Sequence, residues 1–181
     1  MALYFVRHGQ TRANLEQIFD GQRQNMPLTA VGREQAHETA KRLADLSITR
    51  IISSDLKRAE ETADIIAAEL GVQDVSRDNR VREYDQGILS GQPIRAVSAD
   101  ELKSTPQAET FDAFYGRIRR FLADYREATD DGNTVLVSHG GVLKAYKDMR
   151  AGLEPEMHFP YHGVENGAII ALKTDTFSQN D

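Results

Sequence analysis

Short apolar, β-rich runs alternate with helix-length amphipathic stretches along this chain, and that alternation restricts its possible folds more than any other feature. The runs are ALYFV at 2–6, ITRIISS at Ile48–Ser54 and TVLVSH at Thr134–His139, with GAIIALKT near the end as a last strand. Between the first two, Thr29 can cap a helix whose Ala36, Ala40, Leu43 and Leu46 recur on one face. After the second, Ser54 or Asp55 is placed to cap a helix striped by Leu56, Ala59, Ala63, Ile66 and Leu70, and Gly71 suits its end. Further helices are predicted over Phe111 to Ala128 and from the SHGG stretch to about Arg150, with Gly152 behind it. Strands separated by helices of this length predict an α/β fold, a three-layer α/β/α sandwich with a mostly parallel central sheet. At 181 residues, 40% of them hydrophobic, the chain can bury one good core, so residues 1–181 read as a single domain.

The stretches Leu15 to Leu28 and Glu83 to Glu109 break the pattern. Rich in Gln, Gly, Pro and Ser, they read as long surface loops with room for a short helix. Other classes are excluded by composition. Without cysteine there is no disulfide framework, thiolate metal site or cysteine nucleophile, which fits a cytoplasmic protein. A net charge of -6 argues against a nucleic-acid partner, which would need a basic face. The first apolar run is far shorter than a signal core or a membrane span, so no membrane role is expected. Nothing in the sequence sets an oligomeric state.

In open sheets of this kind, ligands bind beyond the carboxyl ends of the strands. His8 follows the first run, Ser54 and Asp55 follow the second, and His139 follows the third. Arg58 falls in the first turn of a helix, near backbone N–H groups that favour an anion, and Glu83 ends VSRDNRVRE, which reads as a further strand. Histidines, arginines and an acid can thus converge on one rim, a set suited to phosphoryl transfer. Guanidinium groups grip phosphate oxygens in a bidentate fork, imidazole can attack phosphorus, and a carboxyl can protonate a leaving oxygen. Gly9 is expected to let the backbone pass close to the ligand.

The order RHGQTRAN (Arg7 to Asn14), SSDLKRAEET (Ser53 to Thr62), EYDQGILSG (Glu83 to Gly91) and VSHGG (Val137 to Gly141) resembles the histidine phosphatase superfamily, also called phosphoglycerate mutase-like. PLTAVGREQA at Pro27 to Ala36 is similar to that family's helix entry, and the resemblance covers nearly the whole chain. It implies that His8 attacks phosphorus and carries the phosphoryl group, while Arg7, Arg58 and His139 hold the phosphoryl oxygens. Glu83 would protonate the leaving group and then help water attack. Asn14 would lie near the phosphate, Gly140 would offer its backbone N–H, and Gly21 and Gln22 would serve the substrate side. No metal and no cofactor is implied, and the partner is a small phosphorylated substrate. The chain departs from the family pattern in GQRQNMPL (Gly21 to Leu28), one residue longer than usual, and in Ser90, where many members carry an acid.

The phosphatase branch is favoured over two alternatives. Mutases of the family tend to be longer after the acid and bring extra cations there, whereas Arg95 and Lys103 are the basic residues between Glu83 and Arg117. A non-catalytic binding domain would be expected to have lost the nucleophile or an arginine, and neither is missing. Of the remaining histidines, His37 reads as solvated. His158 and His162, near Glu154 and Glu156, are separated by Pro160 and cannot share a regular helix face, so their segment reads as pocket lining rather than a metal site.

Overall fold

Alternate residues of each central strand feed two separate cores. Leu3 and Phe5, with Ile52 and Leu136, pack on one side, while Val6, Ile51, Val135 and Val137 pack on the other. The computed structural model describes residues 2–127, 132–155 and 164–173. Its sheet has the order β3-β2-β4-β1-β5. β1 (Leu3–Arg7), β2 (Ile48–Ser53), β3 (Asp74–Arg77) and β4 (Asn133–Ser138) are mutually parallel, and β5 (Ile169–Leu172) pairs antiparallel to β1. α2 (Ala30–Leu43) and α3 (Lys57–Leu70) bury Ala40, Leu43, Ala59, Ala63 and Ile66 against one face. α5 (Phe111–Glu127) and α6 (Gly140–Ala151) bury Phe114, Ile118, Phe121, Val142 and Leu143 against the other. The expected three layers and mostly parallel sheet are present.

Thr29 caps α2 as predicted, its side chain accepting from Gly32 N–H at 3.0 Å. Several local expectations are corrected. Neither Ser54 nor Asp55 caps α3, whose N-cap is Leu56 with no side-chain bond. Ser54 is instead engaged by His139, and Asp55 forms an ion pair with Arg82, which accounts for its depressed and Arg82's raised pKa. The strand expected to run to Glu83 stops at Arg77, because the Asp78 side chain accepts from Arg80 N–H at 2.8 Å and turns the chain into a 3₁₀ turn over Asn79–Val81. Leu46 leaves the α2 face for another such turn, Ala44–Leu46. Gly9 faces protein rather than ligand: a Cβ there would lie 2.2 Å from the Gly32 carbonyl oxygen, so the glycine permits β1's exit to cross the start of α2.

The two long loops contain α1 (Arg12–Glu16), closed by a reciprocal Thr11/Asn14 capping box, and α4 (Ala99–Ser104). They also pair with each other. Ile18 bridges Pro93, Phe19 N–H donates to Gln92 O (3.0 Å), and Ile94 N–H donates to Gln17 O (2.9 Å). This ribbon stands over the carboxyl ends of the strands as one wall of a cavity. No helix of the described residues is long and apolar enough to cross a membrane.

Candidate active site

β1 and β4 are parallel neighbours in a register that sets Arg7 against Ser138, so the residues that follow, His8 and His139, leave the sheet side by side. Their ring centroids are 5.2 Å apart at 57°. β2 ends beside them, and Ser54 Oγ lies 2.8 Å from His139 Nε2. His8 Nδ1 is 2.7 Å from the Gly9 carbonyl oxygen. Since a carbonyl oxygen only accepts, Nδ1 carries the proton and Nε2 keeps its lone pair. That lone pair accepts from Arg58 Nε at 3.3 Å. Arg58, 1% exposed, reaches in from the first turn of α3, donates through Nη2 to Gly21 O (2.8 Å), and sets Nη1 3.4 Å from the Asp20 carboxylate. Arg7 lines the same cavity and donates to Val164 O.

Glu83 faces this group at 8% exposure. Its carboxylate accepts from Tyr84 N–H (2.8 Å) and from Gly141 N–H at the start of α6 (3.1 Å). Its main chain belongs to neither strand nor helix, so side chains hold it. The Glu83 carbonyl accepts from Gln22 Nε2 and Arg117 Nη2, each at 2.9 Å, and Arg117 Nη1 also binds the carbonyls of Arg80 (2.6 Å) and Arg82 (2.7 Å). Glu109 fixes the other edge of that guanidinium and the Phe114 ring lies 4.7 Å beneath it.

Burial dominates the electrostatics. Desolvation holds His8 well below the ordinary imidazole value, and the Arg58 and Arg7 cations add to the effect. His139 is lowered by burial, then by Arg58 and His8. Burial pushes the Glu83 carboxyl up, against the opposing pull of the Tyr84 and Gly141 N–H groups and of Arg58. A neutral imidazole, its Nε2 lone pair held by Arg58, thus shares a cavity with a carboxyl inclined to keep its proton and with two guanidinium groups.

The cavity measures about 470 Å³ and is walled by Arg7, His8, Asn14, Gly21, Arg58 and Glu83, among others. Three expected residues do not line it. His139 is fully buried behind His8, and its Nδ1 has no hydrogen-bond partner. Gln22 donates to Glu83 O and accepts from Arg82, so in this structure it buttresses the main chain of the acid. Gly140, expected to offer its N–H on the substrate side, is not among the lining residues, and the N–H of its neighbour Gly141 donates to Glu83. Gly21 contributes its carbonyl to Arg58, and Asn14 Oδ1 accepts from Thr11 N–H and Asn166 Nδ2.

Sequence reasoning missed Asp20, Gln86, Asn166 and Arg117. Asn166 donates to His8 O at 2.8 Å, and the one available signal was topological: an antiparallel last strand must begin at the rim where β1 ends. Arg117 could have been noticed as a cation on the apolar stripe of α5, between Phe114 and Phe121. Among the described residues no three His, Cys, Asp or Glu side chains cluster as a metal would require, and the His158/His162 segment lies outside the described residues.

With this geometry in place, comparison with known proteins is decisive. A family model described as the histidine phosphatase superfamily (branch 1) matches residues 3–179. The chain belongs to this superfamily. A relative named "Probable phosphoglycerate mutase GpmB", from Salmonella choleraesuis (strain SC-B67), is 38% identical over 155 residues, 79% of this chain and 71% of that protein. Among solved structures, a mycobacterial glucosyl-3-phosphoglycerate phosphatase complexed with VO3 matches with TM-score 0.79 and 26% identity, covering 95% of this chain and 92% of its own. A candidate alpha-ribazole-5'-P phosphatase from Escherichia coli gives TM-score 0.79 at 27% identity, covering 94% of this chain and 89% of its own. This histidine phosphatase superfamily member is accordingly an enzyme of the phosphatase or mutase kind.

Proposed function

We propose that the protein is a metal-independent phosphomonoesterase that works through a phosphohistidine at His8. The observation that carries the reading is the tautomer of His8: Nδ1 is tied to Gly9 O, leaving a neutral, buried Nε2 at the floor of the cavity beside Arg58. In the first step an Nε2–P bond forms as the ester P–O bond breaks, and Glu83 passes its proton to the leaving oxygen. In the second, water attacks phosphorus, the N–P bond breaks, and the Glu83 carboxylate takes up a proton from that water. Arg58 and Arg7 spread over the equatorial oxygens, so most of the rate comes from positioning and charge stabilisation. His139, buried against the His8 ring with centroids 5.2 Å apart, braces that ring from behind the cavity wall. Every charge role falls to a side chain, so chelators should leave activity in place.

The name of the Salmonella relative favours a second reading, return of the phosphoryl group to substrate. A mutase must keep water from phosphohistidine while its intermediate reorients, and it needs cations for that intermediate's second acidic group. Between Glu83 and α5 this chain offers only short 3₁₀ turns and α4, and among the described residues Arg95 is the one cation there that lines the cavity. Hydrolysis is therefore expected. Supplied with 3-phosphoglycerate and a bisphosphorylated primer, the enzyme should release inorganic phosphate, or ignore both, faster than it forms 2-phosphoglycerate; isomer formation outpacing phosphate release would overturn the hydrolase assignment.

A further inference from the structure

Gln86 is a cavity side chain whose hydrogen bonding the fold leaves unfinished. Gln86 is 2% exposed and lines the cavity, yet its amide Oε1 is buried with no hydrogen-bond partner. A buried amide costs stability unless something supplies the missing bond. Its position is deliberate in the backbone as well. Gly21 sits at φ +51, and a Cβ at that residue would come within 2.0 Å of Gln86 Oε1. The same glycine whose carbonyl holds Arg58 therefore makes room for this amide next to the phosphoryl cradle.

Asp20 shares the wall. Among the described residues its carboxylate has only long contacts, 3.3 Å from Met26 N–H and 3.4 Å each from Thr11 Oγ1 and Arg58 Nη1. Its oxygens accept from Met26 N–H and Thr11 Oγ1, so the group favours a ligand that donates. Ile18, Phe19 and Ile94 add apolar lining to the same cavity. A purely apolar leaving group would leave the Gln86 amide unpaired, and an acidic one would bring a second anion towards Asp20. A leaving group that carries both hydroxyls and C–H surface satisfies all three.

From this we infer that Gln86 and Asp20 form a hydroxyl-reading subsite, and that the substrate class is phosphomonoesters of polyols or sugars. The inference rests on the hydrolase reading and specifies the substrate of that same site. Gln86 is then a specificity-determining residue, separate from the groups that handle phosphorus.

The test compares kcat/KM for glycerol 3-phosphate, propyl phosphate and 2-carboxyethyl phosphate, with 4-nitrophenyl phosphate reporting the phosphoryl site itself. Wild-type enzyme should prefer glycerol 3-phosphate over propyl phosphate by at least about tenfold, because a site built to bond a hydroxyl discriminates against its absence. In Gln86→Met that ratio should fall towards one. Equal use of the two esters by wild type, a higher rate with the carboxyethyl ester through Arg95, or a preference that survives Gln86→Met would each overturn the subsite. The wild-type series decides even if the variant is unstable. Failure to hydrolyse 4-nitrophenyl phosphate would instead refute the hydrolase reading, which keeps the two outcomes distinct.

Discussion

Glu83 and His8 carry opposite pKa displacements, and the interval between the two displaced values sets the pH range in which the site can work. The active form has His8 neutral and Glu83 protonated. On acidification kcat/KM falls as His8 gains a proton, at a pH displaced below the ordinary imidazole value; on alkalinisation it falls as Glu83 loses its proton, above the ordinary carboxyl range. Glu83→Gln should lower kcat/KM on alkyl phosphates by about 10²–10⁴-fold and flatten the alkaline limb. It should cost far less on 4-nitrophenyl phosphate, whose leaving oxygen needs no proton; equal losses on both would remove the acid role. Arg58 and its neighbour Lys57 set a buried cation, proposed to hold phosphate, beside a solvated one. Arg58→Ala should reduce kcat/KM at least about tenfold more than Lys57→Ala, as steady-state kinetics on one substrate can show. Both residues stand in one KR pair, so composition does not tell them apart. The helix face does, since Lys57 is exposed and Arg58 is buried.

At the scale of elements, strand ends were legible because buried parallel strands read as short β-branched runs, and His8, Ser54 and His139 follow such runs directly. Helix faces were legible for the same reason of period. What could not be read was long-range: nothing in the local sequence near Gln17 or Pro93 announces that two irregular loops pair across more than seventy residues to wall the cavity. The support of the Glu83 segment is equally non-local. Three successive carbonyl bonds to one guanidinium, from Arg80, Arg82 and Glu83, replace the ladder that β3 abandons at Arg77. Arg117→Lys keeps a cation but loses the fork. It should depress turnover of alkyl phosphates more than of 4-nitrophenyl phosphate, with Gln22 left as the remaining support of the Glu83 carbonyl. A uniform loss across leaving groups, tracking a lower Tm, would make Arg117 structural only.

The whole molecule carries a net charge of -6, yet encloses Arg7 and the 1% exposed Arg58 where its sheet changes direction of connection. β4 enters between β2 and β1, which brings the carboxyl ends of first and last parallel strands together and makes one site from residues 131 positions apart, His8 and His139. Buried cations gathered there favour an anion that binds the folded state alone. Inorganic phosphate at about 100 times its Kd should add about 2.7 kcal/mol, several degrees in Tm, and Arg58→Ala should abolish most of that shift in a thermal melt. A phosphate shift unchanged by Arg58→Ala would place the anion elsewhere. The central claim is that His8 Nε2 accepts the phosphoryl group and yields it to water. The direct measurement is rapid acid-free quenching of the enzyme with a ³²P-labelled phosphomonoester, followed by peptide mapping and a chase in water. The account predicts an acid-labile, alkali-stable label on His8 that decays to inorganic phosphate at the turnover rate and is absent in His8→Ala; label on a serine or carboxylate, or turnover retained in His8→Ala, would contradict it.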